Sequence, residues 1–286
     1  MAKLTEDYPG KEITTDALKQ QLINETEITK VSNSKFPTEI IDLPSEGKLY
    51  PEGHPLKGGK IEMKYMTAKE EDILTSQNLI QKGTVIDMLL RSLVIGNGKG
   101  ERVNYDDLLL GDKNAVMIAA RVLGYGSDYP VEIPCPKCGA KHKDTVDLAG
   151  LSNKDVEITN DSNLFEFELP LSKKLISFKL LSHSDEEKIQ NEVKRMKKKT
   201  HSSAISFDLT SRLKQLIVAV DGDETIKTIN NFVENEFISR DSLAFRNNLE
   251  KVTPDVDMSV YFDCDECGHE GSVSIPMTVE FFWPRS

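Results

Sequence analysis

Long apolar runs are missing from this sequence. The most apolar stretch, residues 85–95, is interrupted by Asp87 and Arg91. It falls well short of the ~20 residues a membrane-spanning helix requires, so membrane insertion is excluded. Positive charge is in short supply too: 36 Lys and Arg against 47 Asp and Glu leave a net charge of −11. A general nucleic-acid binder gathers phosphates with a positive field, so no nucleic acid is expected as a partner. The opening ten residues lack the apolar core of a signal peptide, and the expectation is a chain made and kept in a cytosol. Cysteine is scarce, with four in 286 residues, too few to staple a chain this long. No serine–histidine–carboxylate set, paired-acid motif or dinucleotide fingerprint occurs. Neither an enzymatic activity nor a small-molecule substrate is therefore expected.

What the chain does have is enough apolar side chain, 38%, for a real core, and length for one large domain or two small ones. Residues 1–39 form a flexible N-terminal arm in this reading. Eleven charges in the first 35 positions and one aromatic, Tyr8, cannot build a core, so the arm either orders on a partner or remains a tail. Residues 40–150 are a first repeat. Turn formers with a few apolar anchors over 40–51 precede a strand over 60–66, with Ile61, Met63 and Tyr65 alternating. Thr67 and Glu70 make a capping box that starts a helix over 68–76. A helix over 85–93 places Met88, Leu89 and Leu93 inward, a glycine-rich turn covers 96–100, a helix spans 113–123, and a return strand covers 143–148.

A linker over 151–164 leads to a second repeat, 165–286, with the same order. A strand over 175–181 is followed by a helix starting at Ser184-Asp185-Glu186-Glu187 and a helix over 209–220 with Leu213, Leu216, Ile217 and Val220 on one face. A turn over 221–224 and a helix over 239–249 come next, with Arg246 standing where the first half has Arg121; a strand through Val273 and Ile275 ends the repeat. The fold class is α+β: two similar α/β halves made by internal duplication, each ending in a cysteine knuckle.

Those knuckles carry the strongest chemical signal. Cys135 and Cys138 form one Cys-x-x-Cys-Gly, and Cys264 and Cys267 form another, each between short strands. Two thiolates at this spacing converge on one cation, while the glycine takes the positive φ of the turn. Two knuckles complete a four-thiolate site of zinc-ribbon type. Residues 139–263 separate them, far more than the ~15–20 of an ordinary ribbon, as expected if each half delivers one knuckle to a shared site. Zinc, redox-silent and suited to four thiolates, is the first choice, and an iron–sulfur cluster is the alternative. Such a site is closed, hence structural. His142 and His269, which follow the knuckles, are expected to be exposed or to stand behind the ligands. Two further segments look like sites and have plainer explanations. Residues 53–61 imitate a phosphate loop, but the lysine is one place late and no Ser or Thr follows. The basic run 194–199 closes an acid-started helix and complements its dipole.

Leu43-Pro44-Ser45-x-Gly47-x-x-Tyr50, then Gly59-Lys60-Ile61-Glu62-Met63 and Met66-Thr67-Ala68-Lys69-Glu70-Glu71, resemble the baseplate hub proteins of T-even-type contractile-tailed phages. The ending, Cys264 to Gly268 with Ile275-Pro276 and Phe281-Phe282-Trp283-Pro284, is similar to tail and hub-assembly proteins of such phages. The resemblance covers residues 40–150 well and 165–284 more loosely. It implies a non-enzymatic structural component or assembly factor of the hub, bound to other hub or tail proteins. Its place would be the host cytoplasm during assembly and, for a component rather than an assembly factor, the virion tail baseplate. The alternative is a zinc-ribbon adaptor of a transcription or nucleic-acid complex, which would need a basic face.

Overall fold

A strand at Thr38–Asp42 (β1) opens the fold of this computed structural model and pairs antiparallel with Lys60–Lys64 (β2), which pairs in turn with Val94–Gly96 (β3). The structure describes residues 37–156, 158, 160–200, 207–275 and 281–283. The expected arm lies outside them, apart from its last residues, where Thr38 already belongs to β1. Residues 38–286 make one compact unit. On β2, Ile61 and Met63 are fully buried while Lys60 is exposed, the period-two pattern of a strand with one covered face. Helices Ala68–Thr75 (α1), Gln77–Lys82 (α2) and Val85–Leu93 (α3) lie between β2 and β3. Leu110–Tyr125 (α4) and a hairpin, Asp128–Pro134 (β4) with Lys141–Asp147 (β5), complete the first half.

The second half comprises Phe165–Glu168 (β6), Leu175–Phe178 (β7), His183–Thr200 (α5), Asp208–Leu216 (α6), Ile217–Val220 (β8), Ile226–Asn231 (α7), a π-helical turn Phe232–Glu236, Ser239–Val252 (α8), Ser259–Asp263 (β9) and Glu270–Ser274 (β10). Its sheet runs in the order β6-β7-β8, as the first runs β1-β2-β3. In the first sheet Glu62 faces Gly96 and Met63 faces Val94, with a break of register between. In the second, Ser177 faces Ala219 and Phe178 faces Ile217, with the break at the same place. Each central strand leads into the same polar lock. Lys64 Nζ contacts Glu70 at 2.8 Å and Thr67 Oγ1 donates to it at 2.6 Å; Lys179 contacts Asp185 at 2.7 Å and Ser182 Oγ donates to it at 3.2 Å.

Several expectations need correcting. The helix expected over 209–220 ends at Leu216, and Ile217–Val220 is strand β8, because those residues complete the sheet beside β7. Met88, expected inside, is exposed; Leu90 fills that place beside Leu89 and Leu93. Arg246 is not the counterpart of Arg121. Arg121 is buried, donating to the carbonyls of Gly126 at 2.7 Å and Asp128 at 3.0 Å, whereas Arg246 is exposed. Measured back from the cysteines, Glu250 stands where Arg121 does. The expected linker is stitched to the second half: Lys154 N–H donates to Asp255 O and Asp257 N–H donates to Ser152 O, both at 2.8 Å.

The halves meet through backbone. Leu109 and Ser182 form an antiparallel bridge, flanked by Leu110 N–H to Leu181 O at 3.0 Å and His183 N–H to Leu108 O at 2.8 Å. A Cβ on Gly111 would lie 1.9 Å from Pro254 O, so glycine is what lets α4 start against the chain leaving α8.

Candidate metal centre

The two cysteine pairs occupy hairpin tips of equal construction. Pro134 faces Lys141 and Asp263 faces Glu270, leaving six-residue connections, 135–140 and 264–269. In the first, Cys135 N–H donates to Ala140 O at 2.7 Å and Gly139 N–H to Cys135 O at 2.9 Å; in the second, Cys264 N–H donates to His269 O at 3.0 Å and Gly268 N–H to Cys264 O at 2.8 Å. Gly139 and Gly268 have φ of 76° and 63°, in the left-handed region that a Cβ disfavours. Buried Val131, Ile133 and Val146 anchor one hairpin, and buried Phe262 anchors the other.

All four Sγ atoms lie within 4.8 Å of one another. Cys135 to Cys267 and Cys138 to Cys264 are both 3.7 Å, so exchanging the hairpins maps one contact onto the other. A tetrahedral ion with metal–sulfur bonds of about 2.3 Å puts its sulfurs about 3.8 Å apart. The donor set therefore fits a four-thiolate ion. Unassisted, Cys135 and Cys267 do not ionise together. Burial raises Cys135, but the amides of Cys138 and Lys137 outweigh it and hold that thiol at about 6. Burial, followed by contacts with Cys138 and Cys264, pushes Cys267 up to about 12. A cation bound there would hold its cysteine ligands as thiolates.

His142 stands directly behind this group. Its Nε2 is 3.3 Å from Cys264 Sγ and its ring packs edge-on to Phe262 at 5.2 Å. His269 is half-buried in the other turn. Residues 53–61 form a single 3₁₀ turn, Pro55–Gly58, leading into β2 and not into a helix, so no phosphate loop is built. The basic run 194–199 lies in the last turns of α5.

Two polar clusters escaped the sequence reading. His183 is 2% exposed and lies where the halves meet. Lys113 Nζ sits 3.1 Å from His183 Nδ1, and the Tyr105 ring packs edge-on to the imidazole at 4.7 Å. Glu187 and Asp106 flank Nε2 at 3.5 and 3.9 Å. Arg91 already pairs with both carboxylates, and Lys113 with Asp87, so this group is an ion network joining the halves. Burial, then the charge of Lys113, depress the His183 imidazole and favour its neutral form.

The second cluster explains the Leu-Pro-Ser-x-Gly-x-x-Tyr motif. Asp112, buried in the first turn of α4, accepts Ser45 N–H at 2.9 Å, Ser45 Oγ–H at 2.7 Å and Tyr50 O–H at 2.7 Å. Tyr50 OH in turn accepts Leu109 N–H at 3.0 Å. A Cβ on Gly47, with φ of 76°, would lie 2.4 Å from Gly59 N. Asp241, in the first turn of α8, does the matching work by accepting Leu171 N–H at 2.8 Å and Ser172 N–H at 2.9 Å.

Fold and site together define an α+β protein with two three-stranded sheets, a close cluster of four cysteines compatible with a metal ion, and no helix among the described residues long and apolar enough to cross a membrane. The chain belongs to the T4 bacteriophage base plate protein family, whose model matches residues 36–283. It is thus related to structural components of the phage tail baseplate, which associate with other tail proteins. No curated protein and no solved structure matches it.

Proposed function

We propose that Cys135, Cys138, Cys264 and Cys267 hold one structural zinc ion and that the protein works by binding, as a component or assembly factor of the baseplate hub. The paired 3.7 Å sulfur contacts carry the metal reading. Zinc suits them because a single d¹⁰ ion accepts tetrahedral thiolates without redox chemistry. An iron–sulfur cluster interposes several iron and sulfide atoms and spreads its cysteines beyond such contact. Four protein ligands leave no open position, so the ion clasps rather than catalyses.

Internal duplication accounts for the design. Shared strand order, a shared break of register, matched polar locks and equal hairpin tips all support it. Each half then supplies one knuckle, at the end of a similar chain path. The hub assignment is supported by the motif over residues 43–50 and by the family match. It makes other hub or tail proteins the partners, met in the host cytoplasm during assembly.

Elemental analysis of the purified chain should find about one zinc, and Cys264→Ser should lower it sharply. Two ions per chain, or none with every thiol free, would sink the shared site. In a phage carrying Cys135→Ser with Cys138→Ser, heads should accumulate while tails stop at the baseplate stage. Normal tails from a null mutant would remove the hub role, and mass spectrometry of virions beside infected-cell lysate separates a component from an assembly factor.

A further inference from the structure

Within the chain, the first half offers the start of α4, and the second half receives it at the junction of β7 and α5. Leu109, Leu181 and His183 are 6%, 5% and 2% exposed there. Arg91 of the first half reaches Glu187 of the second at 3.3 Å across the same contact. This contact joins unlike surfaces, so each half should possess both: a donor face at the start of its long helix, and an acceptor face where its central strand meets the next helix.

The unused pair is only partly covered. Counting back from the cysteines, Ile238 occupies the place of Leu109, yet it is 42% exposed. Leu243 on α8 and Leu171, whose N–H binds Asp241 in that helix's first turn, are exposed beside it. On the first half, Met66 and Thr67 stand where Leu181 and Ser182 do, only half-buried, with Ala68 exposed. The charges repeat as well. Counting back from β3 and β8, Lys214 takes the place of Arg91; it pairs with Glu234 at 2.5 Å as Arg91 pairs with Asp106. Counting forward from the polar locks, exposed Asp72 takes the place of Glu187. The donor side again carries a cation and the acceptor side an anion.

We infer that the chain self-associates head to tail, the α8 start of one copy docking at the β2–α1 junction of a second through the contact that joins its own halves. The inference rests on the duplication reading. Because the two faces differ, the contact is heterologous and generates a ring or an open series rather than an isologous dimer.

Sedimentation velocity of the full chain at rising concentration tests this. The wild type should grow beyond the monomer. Ile238→Asp with Leu243→Asp blocks the donor face, and Ala68→Asp with Asp72→Lys blocks the acceptor face; each double variant should remain monomeric. All four positions are exposed, and aspartate is a favoured residue at the N-cap place of Ile238, so the fold should survive. Mixed in equal amounts, the two variants should form a species of twice the chain mass and stop there, because only one intact donor–acceptor pair remains. A wild type that is monomeric at every concentration overturns the inference; it leaves the duplication itself standing, since that rests on registers within one chain. An oligomer that survives either double variant, or a mixture that does not pair, overturns it equally.

Discussion

Asp112→Ala is the most informative single perturbation of the first half. The carboxylate is 1% exposed and accepts three donors: Ser45 N–H, Ser45 Oγ–H and Tyr50 O–H. Each buried donor left without a partner costs about 1–3 kcal/mol. The three are not equal. Both hydroxyls can turn, and Ser45 Oγ already accepts Gly47 N–H at 3.2 Å, but the backbone amide of Ser45 cannot move without opening the turn. Removing a buried charge also returns part of its desolvation cost. The net loss is about 2–4 kcal/mol, a large share of the 5–15 kcal/mol typical of folded domains. With a urea slope of about 3 kcal/mol/M, the unfolding midpoint should fall by about 1 M.

A double-mutant cycle separates this account from a general loss of packing. Ser45→Ala should cost less in the Asp112→Ala background than alone, with a coupling of about 1–3 kcal/mol. Burial pushes the Asp112 carboxyl up, against the pull of the Ser45 and Tyr50 hydrogen bonds. A carboxyl raised on folding contributes most below its unfolded pKa, about 3.9, and loses that contribution as pH rises through the folded value. The penalty of Asp112→Asn should therefore be larger in acid than at neutral pH. Strict additivity of Ser45→Ala and Asp112→Ala, or an unchanged urea midpoint, would refute the reasoning.

Three further outcomes are expected. His142→Ala, which removes the group 3.3 Å from Cys264 Sγ, should weaken zinc retention against a chelator about 10–100-fold, as loss of a group orienting a ligand usually does; His142→Gln, keeping an N–H donor, should recover part of it. Glu70 is held below the ordinary carboxylate range: burial opposes this, but the hydrogen bonds from Lys64 and Thr67 outweigh it. A depressed carboxylate stabilises above its unfolded pKa and loses that contribution as pH falls through the folded value, so Glu70→Gln should cost about 1–3 kcal/mol near neutral pH and progressively less in acid, read by urea unfolding at several pH values. Phe281→Ala, removing a buried ring packed edge-on to Tyr129 at 5.1 Å, should cost about 3–5 kcal/mol in the same assay.

How legible the molecule was depended on whether the forces were local. The helices Val85–Leu93 and Ser239–Val252 and the capping box at Thr67 follow from short-range rules of period and capping, and the sequence displays them. That the four cysteines come together was legible because two equal Cys-x-x-Cys-Gly spacings mark two tips of the same construction. Strand β8 was not, since Leu213, Leu216, Ile217 and Val220 satisfy a helical period; pairing with β7 overrides it. Nor were Asp112 and His183. Asp112 lies 67 residues from Ser45, and His183 is buried by a contact with Leu108 from the other half. Nothing adjacent in sequence marks either as buried.

The proposed ion and the contact between the halves do different work. At the hairpin tips the halves are interchangeable: Cys135 meets Cys267 at the distance at which Cys138 meets Cys264. At the body they are not, since Leu109 bridges Ser182 while Ile238, equally far ahead of its own cysteine pair, stays exposed. A symmetric clasp cannot by itself choose between two ways of docking two similar halves. The choice is made by residues that differ between them, such as Tyr105 and Lys113 around the buried His183. An ion closing the hairpins then fixes the result by making separation of the halves cost coordination bonds as well as packing. Loss of the ion should therefore loosen the hairpin tips first, while the body contact, with its own backbone hydrogen bonds and buried ion network, still holds the halves in register.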